Sequence, residues 1–304
     1  MIGKDLNQSH KNPIVSVIIA SYNAAATISE CLSSLIRQET GTVFEILVVD
    51  SSDDDTEAII RSRFPQVKLL HVPRRLFCGD ARNIGLAHCS GQIIAFIDAD
   101  CVAAPDWIDR IARTHREDHL AVGGAIDNHR PANIVSWAAY FCEFSRWMPY
   151  GGIRPISDMA AANLSFKRQL LERFGPFIEG TYCSDSEFNW RLKDQGISIL
   201  FVPAILVRHS SIPTLREYII HEFYHGRSFA RVRSGKNRFS DLKNGMYVLL
   251  MPAIFVKLLV ERLFYGVRHA AYSIHFLKAL PLLIPGIFSW SLGEAAGYAG
   301  RMMK

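Results

Sequence analysis

Apolar residues follow two rhythms along the first part of the chain. Short continuous runs at residues 14–20 (IVSVIIA), 44–49, 68–72 and 93–97 suit strands buried on both faces, because a strand covered on one side alternates apolar with polar positions. Between them the spacing turns helical. Ile28, Cys31, Leu32, Leu35 and Ile36 recur on one face of residues 24–38, a second helix is predicted from the acidic Asp53-Asp54-Asp55-Thr56 start to Arg63, and a third covers residues 78–89; the acidic start lies where the helix dipole favours negative charge. Strand and helix alternate, so the predicted fold is a Rossmann-like, mostly parallel, doubly wound α/β sheet with helices on both faces. Such sheets bind ligands beyond the carboxyl ends of their strands. Ala20, Tyr22 and Asn23, then Asp50, then the Asp98 and Asp100 pair stand at three of these ends.

Past Ser211 the pattern changes. Leu215, Tyr218, Ile219, Phe223 and Gly226 share one helical face, while Arg216, His225, Arg227, Arg231, Arg233, Lys236 and Arg238 make residues 212–245 basic. This predicts a helix that lies on anionic lipid headgroups or packs on the core near an acceptor. Two apolar stretches follow at 247–260 and 279–292, each containing proline and each shorter than the ~20 residues of a spanning helix. They are read as re-entrant or interfacial helices; two short spanning helices, or burial in a homodimer interface, are the alternatives. Their apolar faces have no evident partner in water, so residues 246–304 are predicted to form a membrane-associated tail that the sheet does not need in order to close.

A length of 304 residues accommodates one large α/β domain and an appendage. The formal charge of +5, with 21% charged residues, lacks the dense basic face that nucleic acid demands. Six cysteines lie far apart without a C-x-x-C pair, which matches neither a zinc framework nor a disulfide scaffold and predicts reduced thiols in the cytoplasm. Residues 1–12 are polar and show no signal-peptide pattern.

The chemistry concentrates at the strand ends. Asp98 and Asp100 are two apart in extended chain, so their carboxylates project to one side and serve one cation. Hard oxygen donors suit Mg2+ or Mn2+, which keep positions open for water and substrate phosphates. An acidic turn is the plain alternative. Asp50 is placed to accept the imide N–H of a uracil ring, with Tyr22 offering a stacking face; it also suits a simple turn cap. Arg82 is placed to reach a donor's base or phosphates, or to make a salt bridge.

The stretches SVIIASYNAAATI, EILVVDSSDDDT, GDARNIGLAHCSGQIIAFIDAD, NLSF and CSDSEFNWRL together resemble the ordered motifs of family 2 glycosyltransferases, across residues 13–211. The resemblance implies the GT-A fold and inverting transfer from a nucleotide-sugar donor, UDP-linked in this reading, to a saccharide or lipid-linked acceptor. It assigns Tyr22 and Asp50 to nucleotide binding, Asp98 to a ribose or metal contact and Asp100 to the metal. Asn163 matches a sugar-contacting position, and His209 a third metal or diphosphate contact. Inversion needs a base for the acceptor hydroxyl, and Asp185 matches it; Ser184 stands where the family has Glu, which leaves Glu187 as the second candidate. The expected setting is the cytoplasmic face of a membrane. A pyrophosphorylase would need a Gly-rich basic loop after the first strand, and SYNAAATI has none. A catalytically silent membrane scaffold is the non-enzyme alternative, raised by Ser184.

Overall fold

The computed structural model describes residues 13–302; the polar residues 1–12, and residues 303 and 304, lie outside the described residues. Strands β1 (Val15–Ser21), β2 (Phe44–Asp50), β3 (Lys68–His71) and β4 (Ile93–Ile97) form where the apolar runs predict them. The sheet has the order β3-β2-β1-β4-β8-β6-β9-β5, with β7 (Arg154–Ile156) pairing β9. Its first four strands are parallel and connected through α1 (Ile28–Ile36), α2 (Thr56–Arg63) and α3 (Cys78–His88). The other half is mixed: β8 (Asn163–Lys167) runs against both β4 and β6 (Ala121–Asn128), while β9 (Ile199–His209) runs along β6 and against β5 (Cys101–Ala103).

Pro203 leaves β9 continuous but shifts its pairing with β6 between Gly124 and Ala125. The disturbed backbone finds its donors on Asn163, whose Nδ2 reaches the carbonyls of Ala125 at 2.7 Å and Ile205 at 2.9 Å. Its Oδ1 accepts from Trp107 Nε1 at 2.8 Å, and the residue is 1% exposed. The sequence-based expectation of a sugar contact at Asn163 is therefore corrected: a bulge that needs satisfying has claimed its amide.

Four helices complete the molecule beyond Ser211: α8 (Leu215–Lys236), α9 (Asp241–Leu249), α10 (Met251–Val267) and α11 (Ala270–Met302). They follow α4 (Trp107–Arg116), α5 (Ile134–Phe144), α6 (Arg168–Phe174) and α7 (Ser184–Asp194) in chain order. The start of α8 is capped by Thr214, whose hydroxyl accepts from the Glu217 N–H and donates to the Glu217 carboxylate.

The apolar tail differs from expectation. Residues 279–292 are not a separate short helix but the middle of the 33-residue α11, which contains Pro281 and Pro285. Among the described residues it is the one helix long and apolar enough to cross a membrane by length and composition. An interior proline costs about 3 kcal/mol, yet α11 buries Phe276, Leu283 and Ile287 in the same core as the sheet, at about 1.5–3 kcal/mol each. The inner face thus has a protein partner, which pattern alone did not reveal. Glycines make the close approach: a Cβ on Gly226 of α8 would lie 2.2 Å from the Trp290 carbonyl, and one on Gly293 of α11 2.0 Å from the Phe223 carbonyl. The outer face stays apolar, with Val256, Val260, Phe264, Ile274, Leu277 and Phe288 exposed.

Candidate active site

At the carboxyl ends of β1 and β2, Asp50 is fully buried. Its Oδ1 accepts from the Ser52 hydroxyl at 2.6 Å, and its Oδ2 lies 2.9 Å from Nδ1 of His71 at the end of β3. The carboxylate thus forms the floor of the pocket, sealed under two side chains, instead of standing open to a base. Ala20 packs beside Val49, Leu76 and Ala81. Asn23 takes a left-handed backbone with φ 50°, and its Oδ1 accepts the Asp53 N–H, so its side chain holds the turn. Tyr22 is exposed and is covered by the Arg75 guanidinium, 4.6 Å from the ring centroid. His71 and Arg75 were missed in the sequence because neither sits in a strand-end motif; only the folded register brings them beside Asp50 and Tyr22.

The β4 end carries the second group. Arg82 Nη2 donates to Asp98 Oδ1 at 3.2 Å, and the guanidinium also lies over the Phe96 and Phe177 rings. Burial works against the Arg82 charge, but Cys78, Asp98 and Asp185 hold it above its ordinary pKa. Burial raises the Asp98 carboxyl, and the Asp100 charge adds to this while Arg82 and His209 oppose it. Backbone pairing sets the rest. Cys101 of β5 lies opposite His209 of β9, which places His209 Nε2 3.3 Å from Asp100 Oδ1, while His209 Nδ1 lies 3.2 Å from Ser211 Oγ. A second partner of this kind fixes a ligating imidazole in orientation. Asp100, Cys101 and His209 bring their ligand atoms within 4.8 Å of one another, with Asp98 within charge range of Asp100 and His209; Asp98 and Asp100 remain about one third exposed at the side chain, 31% and 36%, where water and phosphate oxygens have access. The carboxylate and imidazole donors fit Mg2+ or Mn2+.

Asp185 lies in the first turn of α7, whose preceding residue, Cys183, is left-handed at φ 62°. A non-glycine residue there is strained by about 1 kcal/mol or more, and the bend aims Asp185 towards the sheet, where its Oδ2 accepts the Ala161 N–H at 3.0 Å. It stands between two spaces. Its charge reaches Arg82 and Asp98 on one side, and it lines a cleft of about 730 Å3 on the other, with Asp158, Trp190, Phe229, Arg233 and Trp290. Burial pushes Asp158 up, and the Asp185 charge adds to the effect against Asn189 and Arg146.

Glu187 is not brought into this group. Its Oε2 accepts from Arg191 Nε at 3.0 Å, and Arg191 is itself bonded to the Pro176 carbonyl, on a different side of α7. Ser184 is 1% exposed and packs where a Cβ on Gly79 of α3 would touch it. Neither residue lines the cleft, which argues against Glu187 as the second candidate base and against Ser184 as a contact to the acceptor. A two-residue step along a helix turns the side chain by about 200°, so Asp185 and Glu187 cannot share a face.

A Rossmann-like sheet with paired carboxylates after a buried strand, and a further carboxylate at an adjoining cleft, is the arrangement of a GT-A glycosyltransferase. The family profile described as Glycosyl transferase family 2 matches residues 16–173. The chain is 30% identical over 209 residues to the glycosyltransferase AglE of Haloferax volcanii, covering 66% of this chain and 68% of that protein. It is 35% identical over 119 residues to the succinoglycan biosynthesis protein ExoO of Rhizobium meliloti, covering 39% of this chain and 34% of that one. Among solved structures, the mannosyltransferase PcManGT of Pyrobaculum calidifontis, in complex with GDP-Man and Mn2+, superposes with a TM-score of 0.57 at 18% identity, over 91% of this chain and 87% of that chain. The chain belongs to glycosyl transferase family 2.

Proposed function

We propose that this glycosyltransferase is metal-dependent and inverting, and moves a sugar from a nucleoside diphosphate donor to a hydroxyl of a saccharide or lipid-linked acceptor at the cytoplasmic face of a membrane. The observation that carries the reading is Asp185, placed within charge range of Asp98 and Arg82 while lining the 730 Å3 cleft. Asp98, Asp100 and His209 would hold Mg2+ or Mn2+, which when bound supplies positive charge for the leaving diphosphate. Arg82 adds a fixed guanidinium beside Asp98. Asp185 removes the acceptor hydroxyl proton as that oxygen attacks the anomeric carbon opposite the departing diphosphate. Tyr22, under Arg75, is placed to stack on the base.

Uridine is the nucleoside proposed from the sequence motifs, and guanosine, bound by the Pyrobaculum protein, is the other arm of the test; Asp50, already bonded to Ser52 and His71, does not decide between them. For the acceptor, Trp190, Phe229 and Trp290 offer faces to sugar rings, and Arg233 and Lys257 offer charge to a phosphate. The exposed apolar row on α10 and α11, next to Arg268 and Lys278, suits the interfacial region of an anionic leaflet. The silent-scaffold reading is not favoured, since the carboxylates required for turnover surround one accessible site.

Calorimetric titration with UDP and with GDP, with Mn2+ and with chelator, tests the donor side. Tighter binding of UDP that disappears with chelator is expected; binding of neither nucleotide contradicts the proposal. Sedimentation with anionic vesicles in high salt tests the membrane side, and full-length protein left in the supernatant contradicts it.

A further inference from the structure

Away from the Asp100 centre, a second set of ligand-bearing side chains lies between α5 and α8. His221 and His225 are four residues apart on α8, so their imidazoles project from one face, and Glu143 comes from the last turn of α5. Their ligand atoms all lie within 4.8 Å of one another. His221 Nε2 is 3.5 Å from Glu143 Oε1, close to the ~3.3 Å that separates two ligands held at about 2.0–2.1 Å on a tetrahedral ion.

An independent observation points to a missing charge. Glu222, beside Glu143, is 0% exposed, and neither of its carboxylate oxygens has a hydrogen-bond partner. His221 Nε2 and His225 Nδ1 are buried atoms without partners as well. The neighbouring Arg262 does not answer them: its Nε donates to the Cys142 carbonyl at 2.8 Å, and its Nη1 lies 3.4 Å from Glu261. Burying polar atoms unpaired is costly, most of all for a charged carboxylate. One proton shared by Glu143 and Glu222 would relieve the carboxylates but leave both imidazole nitrogens unsatisfied. A cation held by Glu143 and the two imidazoles satisfies both ring nitrogens and sets a positive charge beside Glu222.

We propose that Glu143, His221 and His225 hold a second divalent ion, of the zinc class, which ties α5 to α8 and keeps a coordination position towards the cleft that Glu143 and His225 line. Two imidazoles and one carboxylate favour zinc over Mg2+ or Mn2+, whereas the oxygen-richer Asp98 and Asp100 pair favours the latter. The site has no oxygen-donor motif in the sequence and uses no cysteine. The two imidazoles stand at the H-E-x-x-H spacing of residues 221–225, and folding adds Glu143 from nearly 80 positions away.

The test uses full-length protein in detergent, purified without a histidine tag and stripped with chelator, in an Asp100→Asn background that silences the first centre. Zinc alone is added, and the metal retained through gel filtration is measured. About one equivalent is expected. Co2+ should give a visible absorption band of a low-coordinate nitrogen and oxygen site, displaced by zinc. A His221→Gln/His225→Gln double variant should lose affinity by roughly tenfold or more, since disturbing even an outer-shell partner costs that much, and should keep the melting temperature of the metal-free parent. Retention unchanged in the double variant overturns the proposal. So does a parent protein with neither retained zinc nor a Co2+ band, a result that needs no folded variant.

Discussion

The donor half and the helical half of this molecule satisfy their polar groups in opposite ways. Around the ends of β1 to β4, the functional side chains are bound to one another: Asp50 to Ser52 and His71, Arg82 to Asp98, Asp100 to His209. In the layer made by α5, α8 and α10, Glu222, His221 Nε2, His225 Nδ1 and Arg262 Nη1 are buried without a hydrogen bond. The first half is organised before any ligand arrives, in the sense that catalysis by fixed charge requires. The second is built around charges it does not complete by itself, and it turns an apolar outer face to its surroundings. The donor chemistry and the acceptor or membrane contact proposed above therefore fall on separate parts of the chain, and should be separable by mutation.

The largest effect is expected from Asp100→Asn, which removes charge from the pre-organised half. Turnover should fall by about 1000-fold or more, equivalent to several kcal/mol of transition-state stabilisation, and Mn2+-dependent nucleotide binding should fall with it, as read by a coupled nucleotide-release assay and calorimetry. Asp185→Asn sharpens the boundary between the halves. Its kcat should drop about 10^2- to 10^4-fold while nucleotide affinity stays within about twofold, the signature of a group that acts in the transition state; equal losses in binding and turnover would place Asp185 in the donor half instead.

Gly293→Leu addresses the helical half alone. Its new side chain meets the Phe223 backbone and should destabilise the α8–α11 contact by about 3 kcal/mol, at the upper end of overpacking costs. Chemical denaturation in detergent checks the loss, with nucleotide binding to the folded protein unchanged. The smallest effect is a pH dependence where α4 packs on the sheet. His115, 3% exposed, is lowered by burial to about 4 from 6.5, with its ring nitrogens on the His119 carbonyl and the Ser165 hydroxyl. The unfolded chain binds this proton more readily than the folded one. Its contribution is therefore intact above pH 6.5 and declines as pH falls towards 4, amounting to about 2 kcal/mol between pH 7 and 5. His115→Gln should flatten the measured stability slope across that window.

The same division governs what was legible in the sequence. Strands β1, β2 and β4 are marked by apolar, largely β-branched runs and β3 only by Leu69 and Leu70, while Asp50, Asp98 and Asp100 mark the ends of β2 and β4, because burial on both faces leaves a local signature. Asp185 was legible from its motif. Asn163 was misread, since the bulge that claims its amide arises from a pairing shift between β6 and β9, a non-local event. Glu187 was ambiguous until α7 fixed its direction. For α11, proline suggested a break, and only the packing of Phe276, Leu283 and Ile287 on the rest of the core explains one long helix. His221 and His225 stand at a legible H-E-x-x-H spacing that was missed in the sequence, whereas Glu143, distant in sequence, is brought to them only by folding.

The most direct test of the central claim, transfer by an acceptor oxygen that Asp185 activates opposite a departing diphosphate, is the anomeric configuration of the sugar released when the enzyme slowly hydrolyses its α-linked nucleotide-sugar donor with Mn2+ present. Proton NMR recorded early in the reaction, before mutarotation, should show the β-anomer first, and at a rate strongly reduced by Asp185→Asn. Early appearance of the α-anomer, or release of β-sugar that is indifferent to Asp185, would contradict the account.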